Sequence, residues 1–337
     1  MFAPSTPQVS VVIPSYNRIH SLTETLAGLA QQTLSAAAFE VIVVDNASTD
    51  GTFEAVQTLA VSMPYRLHVF RIPTENRGPA PARNFGVSKT SGAIVAFTDS
   101  DCRPDARWLE RGLAAFEDAD VAFATGTVDF KQEQLGTMGF FARRTVVCAY
   151  EHPTYPTANA FFRKNVFLEF GGFSEELSFA SVFGTAMEAA DTDLAWRIKE
   201  AGSRNVFVPD AIVFHEVQVT TPQQWLLEPI RLFLIPALVR RHPGMRQALL
   251  AYGVFFYAGS IRYYLTLALA LVLLVVAPRL LLLLPPLLLV AGALRGGSAR
   301  PDIVLTHAGQ IGLNALRIYV MSCTLICGSI RFRTLVL

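Results

Sequence analysis

Ala93-Ile94-Val95-Ala96-Phe97-Thr98-Asp99-Ser100-Asp101 is the stretch on which the fold turns. The run through Thr98, rich in β-branched and aromatic residues, reads as a buried strand. Two carboxylates separated by one residue follow where that strand ends. At i and i+2 of an extended chain their side chains point to the same side. Open α/β sheets bind ligands outside the carboxyl ends of their strands. Two hard oxygen donors there suit Mg²⁺ or Mn²⁺, ions that hold a diphosphate beside one or two carboxylates. A bare D-x-D is most often a solvated turn. Its place at a strand end, and its neighbours, favour the metal.

Upstream, Val9–Ile13 reads as a short apolar strand stopped by Pro14, and Val41–Val44 as a second buried strand. Ser21 and Glu24 form the pattern of a capping box for a helix through about Gln32. A third strand is expected at His68–Ile72, and the fourth ends in Asp99. Strand–helix–strand repeats of this spacing predict a doubly wound, mostly parallel sheet with flanking helices. Polar residues at the ends of strands one, two and four then converge on one edge, the expected nucleotide crevice. Further on, Leu194 and Ile198 at i and i+4, with Ala201-Gly202 behind them, predict a helix over Asp191–Glu200. Asp191 falls in its first turn, where the helix dipole favours the ionised carboxylate. A Walker-type loop and a G-x-G-x-x-G are both absent from the sequence, against an NTPase or a dehydrogenase.

These blocks together resemble glycosyltransferase family 2, with its Rossmann-like GT-A fold. The resemblance rests on Val9–Arg18, on Val43-Val44-Asp45-Asn46-Ala47-Ser48-Thr49-Asp50-Gly51, and on Asn76-Arg77-Gly78 with Ala82-Arg83-Asn84-Phe85-Gly86. The Asp99-Ser100-Asp101 run, Gly171-Gly172-Phe173 and Asp191–Arg197 complete it in order, over roughly residues 9–216. It implies that Pro14, Tyr16, Asn17 and Asp45 hold the nucleotide of a nucleotide-sugar, with a UDP-sugar favoured. Arg83 would meet the diphosphate, Asp99 the ribose or the metal, and Asp101 the metal directly; His215, after the strand Ala211–Phe214, would complete a Mn²⁺ or Mg²⁺ site. Asp191 would be the base of an inverting transfer. Two departures stand out: Ala190 replaces the Glu that many relatives carry before this Asp, and Ser174 replaces an Asp. Glu188 could substitute for the first, since i and i+3 share a helical face. Acceptor specificity is expected in the aromatic and basic segment Asp129–Pro156, and Thr157–Arg163 resembles an acceptor-side block.

The 337 residues suffice for two domains, and the formal net charge of +1 hides an asymmetry. From Val217 onward stand eleven Arg, no Lys and two acids, Glu228 and Asp302; this +9 region follows a −8 region. Tyr263–Ala277 and Leu280–Leu294 are apolar runs flanking Pro278-Arg279, and Pro285-Pro286 must kink or break the second. A membrane hairpin is expected there, spanning or re-entrant. Ile303–Ile330 is expected as an interfacial helix, because His307, Gln310, Asn314 and Arg317 interrupt it. The expected organisation is a GT-A domain over 1–216, an amphipathic membrane-surface connector over 217–250 and membrane-associated helices over 251–337. The four cysteines do not read as a secreted disulfide framework, and Met1–Gln8 lacks the basic and apolar regions of a signal peptide. The catalytic domain is therefore expected to face the cytoplasm at the plasma or inner membrane. Membrane lipids and a lipid-linked or glycan acceptor are the expected partners. Nucleic acid is not, since the arginines punctuate apolar runs. Two rival readings remain: a catalytically weak nucleotide-sugar-binding subunit that recruits partners, and a processive polysaccharide synthase. Pro222-Gln223-Gln224-Trp225 resembles the synthase's Q-x-x-R-W block only faintly.

Overall fold

The computed structural model describes residues 6–72, 78–143, 147–181, 183, 186–256, 258–297 and 300–337. The chain divides into two compact units, the first ending at Val219. In the first, β1 (Val9–Ser15) and β2 (Phe39–Asp45) are buried along their whole length, as strands covered on both faces must be. α1 (Ile19–Leu29) joins them, α2 (Thr52–Ala60) leads to β3 (Arg66–Arg71), and α3 (Pro79–Ser88) leads to β4 (Ile94–Phe97). These strands lie parallel in the order β3-β2-β1-β4.

Beyond them come β5 (Cys102–Pro104), α4 (Trp108–Ala114), β6 (Val121–Phe130), β7 (Ala142–Arg143), β8 (Ala160–Arg163) and α5 (Lys164–Glu169). The unit closes with β9 (Ser178–Ala180), β10 (Ala186–Glu188), α6 (Ala190–Glu200), β11 (Arg204–His215) and β12 (Gln218–Val219). The main sheet reads β3-β2-β1-β4-β8-β6-β11-β5. β8 inserts antiparallel between β4 and β6, and β5 closes antiparallel on β11, while β6 and β11 run parallel. The parallel character expected from the sequence holds, concentrated at the β3–β4 end.

Two local expectations give way. β1 continues through Pro14 to Ser15 because β4 pairs only with Val9–Val12, so one side of the strand needs no donor there. The Ser21–Glu24 capping box does not form. α1 starts at Ile19 without a side-chain cap. Ser21 Oγ instead donates to Glu216 Oε2 at 2.6 Å, and Glu24 accepts from Lys131 Nζ at 2.5 Å. Distant partners win over the local motif.

The Thr157–Arg163 block is chiefly a bracket for this sheet. Asn159 is fully buried. It accepts from Trp108 Nε1 at 2.8 Å and donates to the carbonyls of Thr127 and Ala211, each at 2.8 Å. Arg163 donates to the carbonyls of Phe116, Asp118 and Val121. Asn159→Ala leaves a buried indole N–H and two carbonyls unmet, so chemical denaturation should register a loss of about 3 kcal/mol. A loss below about 1 kcal/mol would mean that water replaces the amide.

The second unit is helical: α7 (Pro222–Leu227), α8 (Ile235–Arg241), α9 (Pro243–Leu249), α10 (Ser260–Val276), α11 (Leu284–Gly296) and α12 (Pro301–Phe332). Thr221 and Gln224 form a full capping box at α7. Pro285 and Pro286 sit in the first turn of α11, where no helical hydrogen bond is lost. α11 packs closely on α12: a Cβ at Gly292 would lie 2.5 Å from the Val304 carbonyl oxygen. By length and composition, Pro278–Gly296 and Pro301–Phe332 could each cross a membrane. The second includes the stretch expected as interfacial, and two of its polar interruptions have partners. His307 Nδ1 lies 2.9 Å from the Ile303 carbonyl. Arg317 pairs with Glu228, donates to the Trp225 carbonyl at 3.1 Å and lies 4.8 Å from the Trp225 ring centroid.

Candidate active site

The carboxylate pair and His215 meet because of one short ladder. β5 follows Asp101 immediately and pairs with the end of β11, setting His215 opposite Cys102. His215 Nε2 thereby lies 3.4 Å from Asp101 Oδ1. Ligand atoms of Asp99, Asp101, Cys102 and His215 all fall within 4.8 Å of one another. His215 Nδ1 is 2.9 Å from the Glu216 carbonyl, which can only accept. In the neutral ring, Nδ1 therefore carries the proton and the Nε2 lone pair faces the Asp101 oxygen. Two facing lone pairs repel, and a divalent cation between them removes the conflict.

The donor set of Asp99, Asp101 and His215 thus fits Mn²⁺ or Mg²⁺. Cys102, which the sequence reading did not single out, is the odd member. Burial, with Asp99 and Asp101 beside it, holds its thiol well above its usual pKa, and a protonated sulfur suits no hard cation.

Gln218 also escaped the sequence reading, its one signal being that it stands three residues past His215. Its Nε2 donates to Asp101 Oδ2 at 2.8 Å, and the Glu216 N–H donates to the Asp101 carbonyl at 2.9 Å. The strand end therefore straps the carboxylate in place. Outer-shell partners of this kind are worth about 10–100-fold in metal affinity. Gln218→Leu should weaken Mn²⁺ binding by that much in a titration without donor. Unchanged binding would make the contact incidental.

Arg83, on α3, is buried and donates Nη2 to Asp99 Oδ1 at 2.8 Å. Burial pulls its pKa down, but Asp99, Glu188 and Asp191 more than offset that. Its Nε and Nη1 are buried without partners, as are Ser15 Oγ, Asp45 Oδ1 and Glu188 Oε1. Buried polar atoms are nearly always paired. Unmet groups on both β1 and β2 ends and on α3 fit a polar ligand in the crevice.

The other residues expected at the nucleotide divide. Pro14 is buried in β1, and Tyr16 is exposed beyond it. Asn17, at φ +51°, spends its Oδ1 on the Thr49 N–H at 2.8 Å. Its side chain laces the loops after β1 and β2 together. Asp45 Oδ2 accepts from Arg71 Nε at 2.8 Å, leaving Oδ1 for a ligand.

Asp191 lies in the first turn of α6 as expected, accepting from the backbone of Thr192 at 2.7 Å and of Thr157 at 3.4 Å. The dipole does not decide its titration. Burial pushes its pKa up, against the pull of Arg83 and those two amides. Glu188 reaches the same neighbourhood by a different route from the one expected. It ends β10, ahead of α6, so a shared helical face plays no part. Its Oε2 accepts from Ser178 Oγ at 2.5 Å. Gly78 makes room for this contact: its φ is +86°, and a Cβ there would stand 2.2 Å from Ser178 Oγ. Its companions Asn76 and Arg77 lie outside the described residues.

Burial, opposed by Arg83 and reinforced by Asp191, raises the Glu188 pKa to about 7. An acid raised above its unfolded value stabilises fully below that value, and the stabilisation is lost as pH rises through about 7. Glu188→Gln should therefore gain thermal stability over wild type above pH 7 and not at pH 4. Equal shifts at both pH values would refute the assignment.

Asp193 and Ser174 are structural. Ser174 Oγ donates to Asp193 Oδ2 at 2.7 Å, and Arg197 Nε donates to the same oxygen at 2.9 Å. Arg197 also holds the Gly172 carbonyl at 2.6 Å, fixing the Gly171-Gly172-Phe173 loop. Within Asp129–Pro156, Tyr155 is buried against Phe123 and Trp196, while Tyr150 is exposed. Arg144 lies outside the described residues.

The family model "Glycosyl transferase family 2" matches residues 10–172, and "Glycosyl transferase family group 2" matches residues 94–294. Glycosyltransferase AglE of Haloferax volcanii is 32% identical over 214 residues, 62% of this chain and 67% of that protein. The pre-mycofactocin glycosyltransferase of Mycobacterium tuberculosis is 31% identical over 235 residues, 66% of this chain but only 45% of that protein. Among solved structures, the mannosyltransferase PcManGT from Pyrobaculum calidifontis, in complex with GDP-Man and Mn²⁺, superposes with a TM-score of 0.58 at 24% identity. That match covers 98% of this chain and 88% of the other. S. aureus TarS 1-349 in complex with UDP-GlcNAc gives 0.55 at 18% identity, over 97% and 92% of the two chains. At these identities the structures establish the GT-A fold alone.

Proposed function

The chain belongs to glycosyltransferase family 2, and from this we propose that it moves a sugar from a nucleotide-sugar to a lipid-linked or envelope polysaccharide acceptor, with inversion. The observation that carries the reading is the convergence of Asp99, Asp101 and His215 ligand atoms within 4.8 Å at the carboxyl edge of the sheet. Arg83, with two unmet nitrogens, is the cation that meets the donor's diphosphate. Asp45 Oδ1 offers an acceptor to the base or ribose, and Pro14, Tyr16 and Asn17 shape that end of the crevice. Asp191 accepts the proton of the attacking acceptor hydroxyl as its oxygen bonds to the anomeric carbon. The bond to the nucleoside diphosphate breaks on the opposite face, with its electron pair leaving on the diphosphate oxygen. A raised pKa makes Asp191 the stronger base once ionised. Bound Mn²⁺ or Mg²⁺ would neutralise charge on the departing diphosphate as a Lewis acid.

The two helical stretches long and apolar enough to cross a membrane support a bilayer location. We place the first unit on its cytoplasmic side, beside a lipid-linked acceptor. The test is donor hydrolysis by solubilised protein over UDP-, GDP- and dTDP-sugars, with Mn²⁺ or EDTA. Metal-dependent turnover of one donor is the expected result, and a UDP-sugar is favoured. Ala190 motivates the second reading, a recruiting subunit of low activity. Nucleotide binding with no turnover of any donor, even with membrane lipid extract added, would favour it.

A further inference from the structure

The C-terminal end of α12 gathers positive charge at one exposed surface. Arg240, Arg241, Arg331 and Arg333 are exposed there. Arg240 Nη1 donates to the Phe332 carbonyl at 3.1 Å, and the Phe233 and Phe332 rings meet at 5.4 Å, which joins the end of α8 to that of α12. The two acids of the unit are engaged elsewhere. Glu228 pairs with Arg231 and Arg317, and Asp302 pairs with Arg300 at the opposite end of α12. The dipole of α12 offers only about half a negative charge at its C-terminus, against the three exposed guanidiniums of Arg240, Arg331 and Arg333.

The same surface is apolar where it is not basic. Ile330 is 75% exposed and Leu335 54% exposed, alternating with the arginines. Beside them stands the turn of residues 251–255. It is tied to the chain end by Leu337 N–H to the Val254 carbonyl at 2.8 Å and Phe256 N–H to the Leu337 carbonyl at 2.6 Å. Arg246 Nη1 bonds both the Gly253 and Leu335 carbonyls. Tyr252 sits on this turn, 83% exposed at φ +53°. A bulky residue held there by its surroundings, with its ring in solvent, is costly on both counts. Exposed aromatic and aliphatic groups interleaved with guanidiniums match the headgroup layer of a bilayer. Tyr and Trp concentrate at that depth, and Arg binds phosphate there.

We propose that this face, formed by the C-terminal end of α12 and the 251–255 turn, docks on the anionic phospholipid headgroups of a membrane surface. It rests on the membrane-associated reading above and names the lipid chemistry that the reading leaves open. Tyr252, Ile330 and Leu335 enter the interfacial layer, while Arg240, Arg331 and Arg333 pair with lipid phosphates.

The test uses the full chain with Tyr252→Cys, labelled with bimane in a Cys323→Ser/Cys327→Ser background; the other two cysteines are buried. Vesicles are phosphatidylcholine alone or phosphatidylcholine with phosphatidylglycerol. Bimane emission should shift blue on the mixed vesicles, and high salt should reverse the shift. Each arginine near an anionic surface contributes roughly a factor of five in affinity, so Arg240→Gln/Arg331→Gln/Arg333→Gln should raise the phosphatidylglycerol-containing lipid needed for half-shift roughly 100-fold. The same three changes to Lys should restore it. Aqueous emission on both vesicles, with the protein still co-floating, would overturn the docking face alone. Failure to co-float with either vesicle would remove the membrane reading as well. Reversal by millimolar inorganic phosphate at constant ionic strength would also overturn the proposal, revealing a site for a free anion. Donor hydrolysis, measured alongside, should stay at the unsubstituted level and report that the fold is intact.

Discussion

Asp191→Asn should lower kcat by about 10²–10⁴, the range that general-base catalysis supplies, while the KM for the donor changes little. The amide keeps the shape, although its single oxygen can accept from only one of the Thr192 and Thr157 N–H groups, which bond different carboxylate oxygens. Neither contact is to the nucleotide-sugar, so donor binding should change little. Thermal stability should move the other way. Burial raises the Asp191 pKa, so keeping it ionised at neutral pH costs folding free energy, and the neutral amide removes that cost. A variant that is slower and more stable would identify Asp191 as a base held under strain. Turnover within tenfold of wild type would move the base elsewhere, and loss of stability would make Asp191 a structural cap.

Asp101→Asn should abolish metal dependence. Asp101 is the residue that both faces His215 Nε2 and is oriented by Gln218. Losing it removes a ligand together with the reason for its neighbours' placement. Mn²⁺ affinity should fall by more than the roughly 100-fold that marks the upper range for outer-shell partners. Metal titration in the presence and absence of nucleoside diphosphate reads this directly. Full Mn²⁺ binding by the variant would transfer the site away from the β4–β5 corner. Because Gln218→Leu should give a smaller drop, the two variants rank the direct ligand above its support.

The half of the site that lies along the parallel strands was legible in the sequence. Asp45 and Asp99–Asp101 follow apolar runs whose lengths and composition leave little choice of structure, and strand ends in such sheets share an edge. Arg83 and Asp191 were legible through the family resemblance, and the helical pattern placed Asp191 in its first turn. Sequence spacing could not supply the cross-connections. Gln218 is 117 residues from Asp101, and only the β5–β11 pairing reveals that they touch. Glu188 was named for the wrong reason, because it ends a strand and Ala189 alone separates it from α6. The capping box failed for the same cause: Ser21 found a partner 195 residues away. Blocks shared with relatives also hid structural work. Asn159 and Arg197 hold backbone and Asp193 holds Arg197 and Ser174, and nothing in their spelling separates that from contact with a substrate.

The β5–β11 ladder has a consequence for the order in which the protein comes into being. Asp99 and Asp101 leave the ribosome more than a hundred residues before His215 and Gln218. During that interval the β1–β4 strands have their parallel neighbours, but β5 has none, since its partner is the last long strand of the unit. A nascent chain halted near residue 200 therefore presents the two carboxylates without the strap that orients them. The strap closes only once His215 and Gln218 have themselves cleared the ribosome. The candidate metal pocket is a late product of synthesis, and truncated chains should take up nucleotide before they acquire any preference for a divalent ion.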